Sequence, residues 1–206
     1  IGGGTTDIVS FKKGAIDYTS VIPVGGFQFT NDICITYNTS FYDAEQIKLK
    51  YANTEPASID MREEFTLPVI NSKSLTTVYR RDLCQLMRER TLELIRLIDL
   101  KLQQAGVRQD ASAQIVMTGG ASTMPGFFDM AQQFIPNCSI RMGAPDHLAG
   151  MSEELEAPAY STGVGILLYG FRQEISAEKT ALSQVRGTGN NGDGGLLDRI
   201  KRIFNF

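Results

Sequence analysis

The sequence predicts an α/β fold in which strands and helices alternate and pack in layers. Three observations support this prediction. Short apolar strands alternate with helical patterns along most of the chain. Two of the strands run directly into glycine-rich turns, Gly2-Gly3-Gly4 and Gly119-Gly120, and residues 78–105 form one long amphipathic pattern with helical spacing.

The first predicted element is a β-hairpin. Residues 7–11 and 15–22 are rich in strand-forming side chains, and Lys13-Gly14 supplies the turn between them. Pro23 and the glycine pair Gly25-Gly26 then end the sheet.

Two short helices and a mixed segment are predicted next. Thr30 is the expected N-cap of a helix over residues 32–37, and Asp43 is the expected N-cap of a helix over residues 44–51. The mixed segment contains two strand-like pieces, one around Ile59 and one over residues 65–70.

The long helix over residues 78–105 is the strongest periodic pattern in the chain. Its apolar side chains recur every three or four residues, and Gly106 supplies the stop signal. The remaining predicted elements are a buried strand over 114–118, a helix from Pro125 to 134, a strand over 139–142 and a helix over 158–169.

The last part of the chain has a different composition. Residues 173–195 are predicted to be a flexible linker, because 187–195 contains five glycines. Residues 196–206 are predicted to form a short amphipathic helix whose basic face suits an anionic membrane surface. Docking of this helix on its own domain is the alternative, which so long a linker disfavours. The membrane-facing side chains are Leu196, Leu197, Ile200, Ile203 and Phe204.

Composition and charge exclude several classes of protein. A net charge of -3 and a pI near 5.3 argue against a nucleic-acid-binding protein. The three cysteines are widely spaced and are predicted to be buried thiols rather than metal ligands. No apolar run approaches the ~20 residues of a membrane-spanning helix. The chain begins without Met inside a strand-to-loop junction, so we expect it to be a fragment.

The two glycine-rich turns have the chemistry of phosphate-binding loops. Glycines let the backbone approach a phosphate closely, and successive N–H groups can form an anion-binding hollow. In the first turn Thr5 and Thr6 add hydroxyl donors, and Asp7 can hold a water of a Mg²⁺ ion. Either turn alone is better explained as a tight turn between strands, so the pair and its order carry the prediction.

The order of strand, Gly2 to Asp7, hairpin, and a second turn at 118–121 resembles the superfamily of actin, sugar kinases and heat-shock chaperone ATPases. The resemblance implies that Gly2, Gly3, Gly4, Thr5 and Thr6 bind the phosphates of ATP. It also implies that Gly119, Gly120 and Ala121 bind the adenosine. Glu45 and Lys48 match the helix that faces the ribose and adenine in this superfamily; a solvated ion pair on a helix surface is the alternative.

Several segments narrow the resemblance to the FtsA family of bacterial cell-division proteins, over essentially the whole chain. These segments are 21–26, 30–33, 43–48, 141–145 and 160–170. The resemblance implies an actin-like ATPase lobe with a ribonuclease-H-like three-layer subdomain IIA and a smaller α/β insertion, subdomain IIB. Subdomain IIA is expected over 1–26 and 99–172, and subdomain IIB over 27–98.

The same resemblance implies an adaptor that forms head-to-tail filaments with itself and binds other division proteins. It would tether FtsZ filaments to the inner face of the cytoplasmic membrane at the division septum. Arg88 and Arg90, on the long helix, are the expected partners of the acidic C-terminal peptide of FtsZ. A solvated charged face is the alternative for these arginines.

The chain departs from the family pattern in two respects. In the family an Asp precedes the first turn, and an N-terminal lobe supplies the opposing phosphate loop; neither is in this sequence. We therefore assign no catalytic residue and expect weak ATP binding with weak or no ATPase activity. Two alternatives are a small-molecule kinase of the same superfamily and a PilM-like pilus-assembly scaffold, neither of which needs the membrane helix.

Overall fold

The computed structural model describes residues 1–110 and 112–186, with the side chains of residue 175 and residues 177–186 left aside. The chain divides into two compact units, one from Ile1 to Gly143 and a second that begins at Ala144. Both strands and helices are present, as the α/β prediction requires.

Six strands form three two-stranded sheets within the described residues. The first two sheets are antiparallel hairpins, and the third is a parallel pair. The strands are β1 (Thr6–Lys12), β2 (Ala15–Ile22), β3 (Glu64–Pro68), β4 (Leu75–Tyr79), β5 (Gln114–Met117) and β6 (Ser139–Met142).

Five α-helices accompany these strands in the described part of the chain, together with short 3-10 turns. No helix there is both long and apolar enough to cross a bilayer. The helices are α1 (Gly26–Tyr37), α2 (Phe41–Tyr51), α3 (Arg80–Gln104), α4 (Phe127–Phe134) and α5 (Ser161–Arg186).

The first hairpin confirms the sequence prediction closely. β1 and β2 pair with Thr6 opposite Ile22, and Lys13 and Gly14 form the turn with positive φ angles of 52° and 81°. Two successive residues with positive φ are typical of the tight turns that match the twist of a hairpin.

The predicted starts of α1 and α2 are wrong. α1 begins at Gly26, so Thr30 lies inside the helix and its hydroxyl donates to the Gly26 carbonyl (3.1 Å). The Gln28 side chain satisfies the N–H of the cap residue Gly25. α2 is capped by Ser40, whose hydroxyl accepts from the Asp43 N–H (3.1 Å). The acidic residue is therefore in the first turn rather than at the cap.

The segment between α2 and α3 was predicted only in part. β3 corresponds to the predicted strand over 65–70, whereas Ile59 is buried but follows a 3-10 turn, Pro56–Ser58, instead of lying in a strand. β4 was missed, because its five residues lie directly before the helical pattern of α3.

Helix α3 is the centre of the first unit. Most of its buried side chains belong to one apolar cluster that also contains residues of α1, α4 and β5. The cluster extends across the boundaries expected at residues 26 and 98. Members that are completely buried include Phe29, Ile33, Leu83, Met87, Leu94, Ile95 and Phe127.

The second unit contains two 3-10 turns and α5. This helix continues past Gln173 to Arg186, into the segment predicted to be a linker. Residues 187–195 and the predicted membrane helix over 196–206 lie outside the described residues. His147 bonds Glu156 (2.5 Å) at the surface of this unit.

Candidate functional site

The first glycine-rich turn lies against the N-terminus of α1. The carbonyl oxygens of Gly2 and Gly3 accept hydrogen bonds from the backbone N–H groups of Gly26 (2.9 Å) and Phe27 (2.7 Å). A Cβ atom on Gly25 would lie 2.6 Å from the Gly2 oxygen, so a larger residue there would push the turn away. The glycine pair after the hairpin therefore lets the turn and the helix meet.

The second glycine-rich turn is joined to the first through Ile1. The Ile1 amino group donates to the Thr118 carbonyl (2.7 Å), and the Ile1 carbonyl accepts from the Ala121 N–H (3.3 Å). Gly119 has a φ of 97°, and a Cβ there would lie 2.3 Å from the Ile1 oxygen. This position therefore requires glycine for both conformation and space. Two turns that are more than a hundred residues apart in sequence thus form one site.

Lys48 reaches this site from α2. Its ammonium donates to the Gly26 carbonyl (3.0 Å) and the Thr30 hydroxyl (2.8 Å), and it forms an ion pair with Glu45 (2.7 Å). A Cβ on Gly26 would lie 3.6 Å from both the Lys48 nitrogen and the Ala121 methyl group. The helix α1 N-terminus is therefore the point where both turns and Lys48 converge.

The Glu45–Lys48 pair is not a solvated surface pair. The side chains are 29% and 11% exposed, respectively. Thr30 also bonds the Glu45 carboxylate, so the pair links α2 to α1 through a small polar network. Both charged groups therefore make contacts within the protein, at the edge of the predicted site.

The polar residues after the first turn differ in accessibility. Thr5 is exposed and its hydroxyl donates to the Asp7 carboxylate (3.0 Å). Thr6 is 3% exposed, and its hydroxyl donates to the Val24 carbonyl (2.8 Å), so this donor serves the fold. Asp7 is exposed, and the described residues contain no cluster of three or more His, Cys, Asp or Glu side chains placed to hold a metal.

The predicted glycines leave room for a ligand on their exposed side. Gly2, Gly3, Gly4 and Gly120 are exposed, and a Cβ on Gly4 would meet nothing within 4 Å. A Cβ on Gly3, in contrast, would lie 3.1 Å from the Phe27 ring. The turn is therefore supported from one side and open on the other, as a phosphate-binding loop must be.

Sequence reasoning missed the contribution of Gly25, Gly26 and Thr30 to the site. The glycine pair was interpreted as the end of the sheet, and Thr30 as a helix cap. A glycine pair just before a helix is itself a signal for close backbone approach, which could have drawn attention to this position.

The two arginines predicted to bind a partner both have acceptors inside the protein. Arg88 donates to the Thr54 carbonyl (3.0 Å). Arg90 makes two hydrogen bonds to the Asp32 carboxylate (2.6 and 2.8 Å) and also contacts Glu93. The hydrogen bonds that Arg90 donates to the Asp32 carboxylate raise the pKa of Arg90 above its usual value. Arg90 lines a groove of about 260 Å³ between α1 and α3.

The five side chains predicted to face a membrane all lie outside the described residues. They are Leu196, Leu197, Ile200, Ile203 and Phe204.

Comparison with known proteins identifies the family. The family model for cell division protein FtsA matches residues 1–165. The chain is 34% identical over 202 residues to cell division protein FtsA of Pseudomonas aeruginosa, covering 98% of this chain and 48% of the relative. It is 33% identical over 185 residues to the Escherichia coli K12 protein of the same name, covering 86% and 44%. The chain thus spans about half the length of these relatives.

Solved structures of more distant proteins share the fold. MreB5 of Spiroplasma citri bound to AMPPNP superposes with a TM-score of 0.56 at 17% identity, over 86% of this chain and 54% of the other. The ethanolamine utilization protein EutJ of Carboxydothermus hydrogenoformans gives a TM-score of 0.54 at 21% identity, over 82% and 47%. The PilM–PilN type IV pilus biogenesis complex gives 0.55 at 18% identity, over 82% and 44%.

These matches confirm the predicted fold class, an α/β lobe of the actin-like ATPase type. The sequence matches are more specific, because they cover nearly all of this chain and agree on one kind of protein. The chain belongs to the FtsA family of cell-division proteins.

Proposed function

We propose that this chain is the nucleotide-binding lobe of an actin-like cell-division adaptor that binds ATP with Mg²⁺. The observation that carries the proposal is the convergence of both glycine-rich turns and Lys48 at the N-terminus of α1. The open glycine backbone of the first turn favours a phosphate group, since its successive N–H groups can form an anion-binding hollow. The likeness to MreB5, whose structure contains AMPPNP, supports the same class of ligand.

Each part of the site has a role in this proposal. The backbone of Gly2, Gly3 and Gly4 contacts the phosphates, with the Thr5 hydroxyl as a further donor. Gly119, Gly120 and Ala121 lie along the adenosine, and Glu45 with Lys48 face the ribose and adenine. Asp7 holds a water of the Mg²⁺ ion, which keeps most of its hydration when it bridges phosphates. Of the predicted nucleotide ligands, Thr6 has the weakest support, since its hydroxyl is bonded to Val24.

A matched pair of lysine variants tests nucleotide binding. We expect Lys48→Gln to weaken binding of a fluorescent ATP analogue roughly tenfold, the loss typical of one charge-assisted hydrogen bond. Lys50→Gln, on the same helix but exposed, should bind like the wild type. Anisotropy titration up to about millimolar nucleotide measures the affinity, and thermal melting confirms that each variant is folded. Equal affinity of the two folded variants would remove Lys48 from the site.

The proposal extends to the partners that the family implies. Arg88 and Arg90 contact the acidic C-terminal peptide of FtsZ, and head-to-tail filaments of this protein carry the FtsZ filaments. Because Arg90 is already bonded to Asp32, the peptide carboxylates would have to share or displace that contact. Arg88 donates to the Thr54 carbonyl and forms no ion pair within the described part of the chain, so it is the better residue to test.

Titration of the FtsZ tail peptide tests this contact. Arg88→Glu should weaken binding strongly, whereas Arg96→Glu, an exposed position on the same helix α3, should weaken it only slightly. Similar losses in both variants would indicate a general charge effect rather than a site. No binding by the wild type would reject the recruitment of FtsZ through this lobe.

The proposal also includes attachment to the inner face of the cytoplasmic membrane at the septum. The segment 196–206 supplies an apolar face and a basic face for an anionic surface. Flotation with anionic liposomes should recover the full chain and lose it when 196–206 is deleted. Unchanged flotation after the deletion would reject 196–206 as the membrane anchor. No flotation of the full chain would favour the PilM-like scaffold, for which the TM-score of 0.55 with the PilM–PilN complex is the supporting observation.

A further inference from the structure

A pair of exposed aromatic rings lies beside the first glycine-rich turn. Phe27 is the second residue of α1, and Phe41 is the first residue of α2. The two ring centroids are 5.8 Å apart and the ring planes meet at 77°, which is an edge-to-face geometry. Aromatic pairs with this distance and angle attract each other beyond the effect of buried area. The pair therefore links the first turns of the two helices.

Burial in the core does not account for this aromatic pair. Phe27 is 54% exposed and Phe41 is 49% exposed. Both rings lie outside the buried cluster that the described residues of the first unit form. The position of the pair is therefore set by the contact between the two rings and by the turn that Phe27 touches.

Phe27 contacts the turn at Gly3 through both its backbone and its ring. Its N–H donates to the Gly3 carbonyl (2.7 Å). A Cβ atom on Gly3 would lie 3.1, 3.2 and 3.6 Å from three atoms of the Phe27 ring. A Cβ atom on Gly4, in contrast, would meet nothing within 4 Å. The ring therefore supports the turn at Gly3 and leaves Gly4 open to a ligand.

Phe41 restrains the Phe27 ring from the start of α2. The cap residue of this helix, Ser40, accepts from the Asp43 N–H (3.1 Å) and donates to the Asp43 carboxylate (2.6 Å). These bonds fix the first turn of α2, in which Phe41 lies. A fixed Phe41 limits the rotation of its partner ring. The contacts thus run from the cap of α2 through Phe41 and Phe27 to Gly3.

We propose that Phe27 is a positioning residue that holds the Gly2-Gly3-Gly4 turn in the conformation that binds phosphate, and that Phe41 acts through Phe27. This inference rests on the proposed nucleotide site. Glycine has more backbone freedom than any other residue, so three consecutive glycines lose much conformational entropy when they order around a ligand. A ring that orders the turn beforehand reduces this loss and strengthens binding. The effect concerns the phosphates, because the ring contacts the first turn.

Hydrogen exchange in the full chain without nucleotide tests whether the rings support the turn. The reporter is the Gly26 amide, which donates to the Gly2 carbonyl (2.9 Å). Phe27→Ala and Phe41→Ala should each speed its exchange roughly threefold to tenfold, the effect of one lost aromatic contact. Tyr42→Ala is the matched control, because Tyr42 follows Phe41 on α2 and is 72% exposed; it should exchange like the wild type. Unchanged exchange in both phenylalanine variants would overturn the proposal.

Competition against a fluorescent ATP analogue tests whether the support matters for binding. The competitors are ATP and adenosine, and thermal melting confirms that each variant is folded. Phe27→Ala and Phe41→Ala should weaken ATP roughly threefold to tenfold and leave adenosine unchanged, because adenosine has no phosphate for the turn to bind. Tyr42→Ala should bind both competitors like the wild type. Equal losses for ATP and adenosine would indicate a general disturbance of the site and would overturn the proposal.

The same measurements separate a failure of this inference from a failure of the proposed function. A wild type that binds no analogue up to about millimolar concentration would reject the nucleotide site, and the role of Phe27 with it. A wild type that binds ATP with the same affinity as the folded Phe27→Ala variant would overturn the inference alone. The double variant should lose no more affinity than Phe27→Ala, since Phe41 acts through Phe27; additive losses would overturn that part of the proposal.

Discussion

Gly126 shows how a single residue permits the start of α4. It has a φ of 80°, and a Cβ there would lie 2.2 Å from the Thr54 hydroxyl oxygen. Thr54 is fully buried, donates its N–H to the Pro125 carbonyl (3.0 Å) and accepts from Arg88. Its hydroxyl has no hydrogen-bond partner among the described residues. The absence of a side chain at Gly126 therefore makes room for Thr54, whose hydrogen bonds connect α3 to the start of α4.

Replacing Gly126 should destabilise the protein for two reasons, an unfavourable backbone conformation and a steric overlap, and Gly14 allows the first to be measured alone. Gly14→Ala meets only the conformational cost of a positive φ, since its Cβ would contact nothing within 4 Å, and should cost about 1–2 kcal/mol. Gly126→Ala carries the same conformational cost and an overlap with Thr54, so it should cost about 1–3 kcal/mol more. Urea denaturation of both variants measures the difference. Equal losses would mean that Thr54 moves aside without cost.

At the level of elements, polar contacts hold α1 against α3. Arg90 donates two hydrogen bonds of 2.6 and 2.8 Å to the Asp32 carboxylate. Both side chains are largely buried, with 25% of Arg90 and 15% of Asp32 exposed. Tyr37, at the end of α1, lies in the same interface. Burial, with the nearby Asp82 and Cys84, raises the pKa of Tyr37 to about 12. This interface therefore favours a protonated tyrosine.

The raised pKa makes the α1–α3 interface sensitive to alkali. An unfolded tyrosine loses its proton near pH 10, whereas folded Tyr37 keeps it to about pH 12. The unfolded state therefore loses the proton first, and the stabilisation present below pH 10 is lost progressively as the pH rises toward 12. We expect Tyr37→Phe to lose less stability than the wild type over this interval. Urea midpoints measured across it should show the difference.

The exposed Tyr42 on α2 provides the control for this measurement. Its side chain is 72% exposed, so Tyr42→Phe should follow the wild type. A Tyr37→Phe variant that also follows the wild type would show that the tyrosine is not protected by the interface.

Elements with local signals were predicted well, and those that depend on distant contacts were not. The periodicity of α3 and the turn at Lys13-Gly14 are properties of the local sequence, and both are confirmed. The start of α1 was misplaced because Gly2 and Gly3 satisfy its first N–H groups from outside the helix. Likewise, each glycine-rich turn could be found alone, but the Ile1–Thr118 bond that joins them spans 117 positions. No local pattern encodes that distance.

At the level of the whole molecule, the core of the first unit raises a question about cooperativity. The family resemblance implies a subdomain over 27–98 inserted into another over 1–26 and 99–172. The buried cluster nevertheless contains Phe29 and Ile33 of α1 together with Phe127 and Met130 of α4. Such a continuous core favours unfolding of residues 1–143 as one unit, because a disruption at its centre weakens the packing of both α1 and α4.

Leu94, fully buried in α3, allows a test of this cooperativity. Leu94→Ala should cost about 2–5 kcal/mol, and hydrogen exchange should show the same loss of protection in α1 and in α4. Leu100→Ala is the matched control, because Leu100 lies on the same helix and is 48% exposed; it should change protection little. A loss confined to α1, with α4 unchanged, would show that the inserted region unfolds separately. Equal losses in both helices would mean that the proposed nucleotide site, built from elements on both sides of α3, depends on one continuous core.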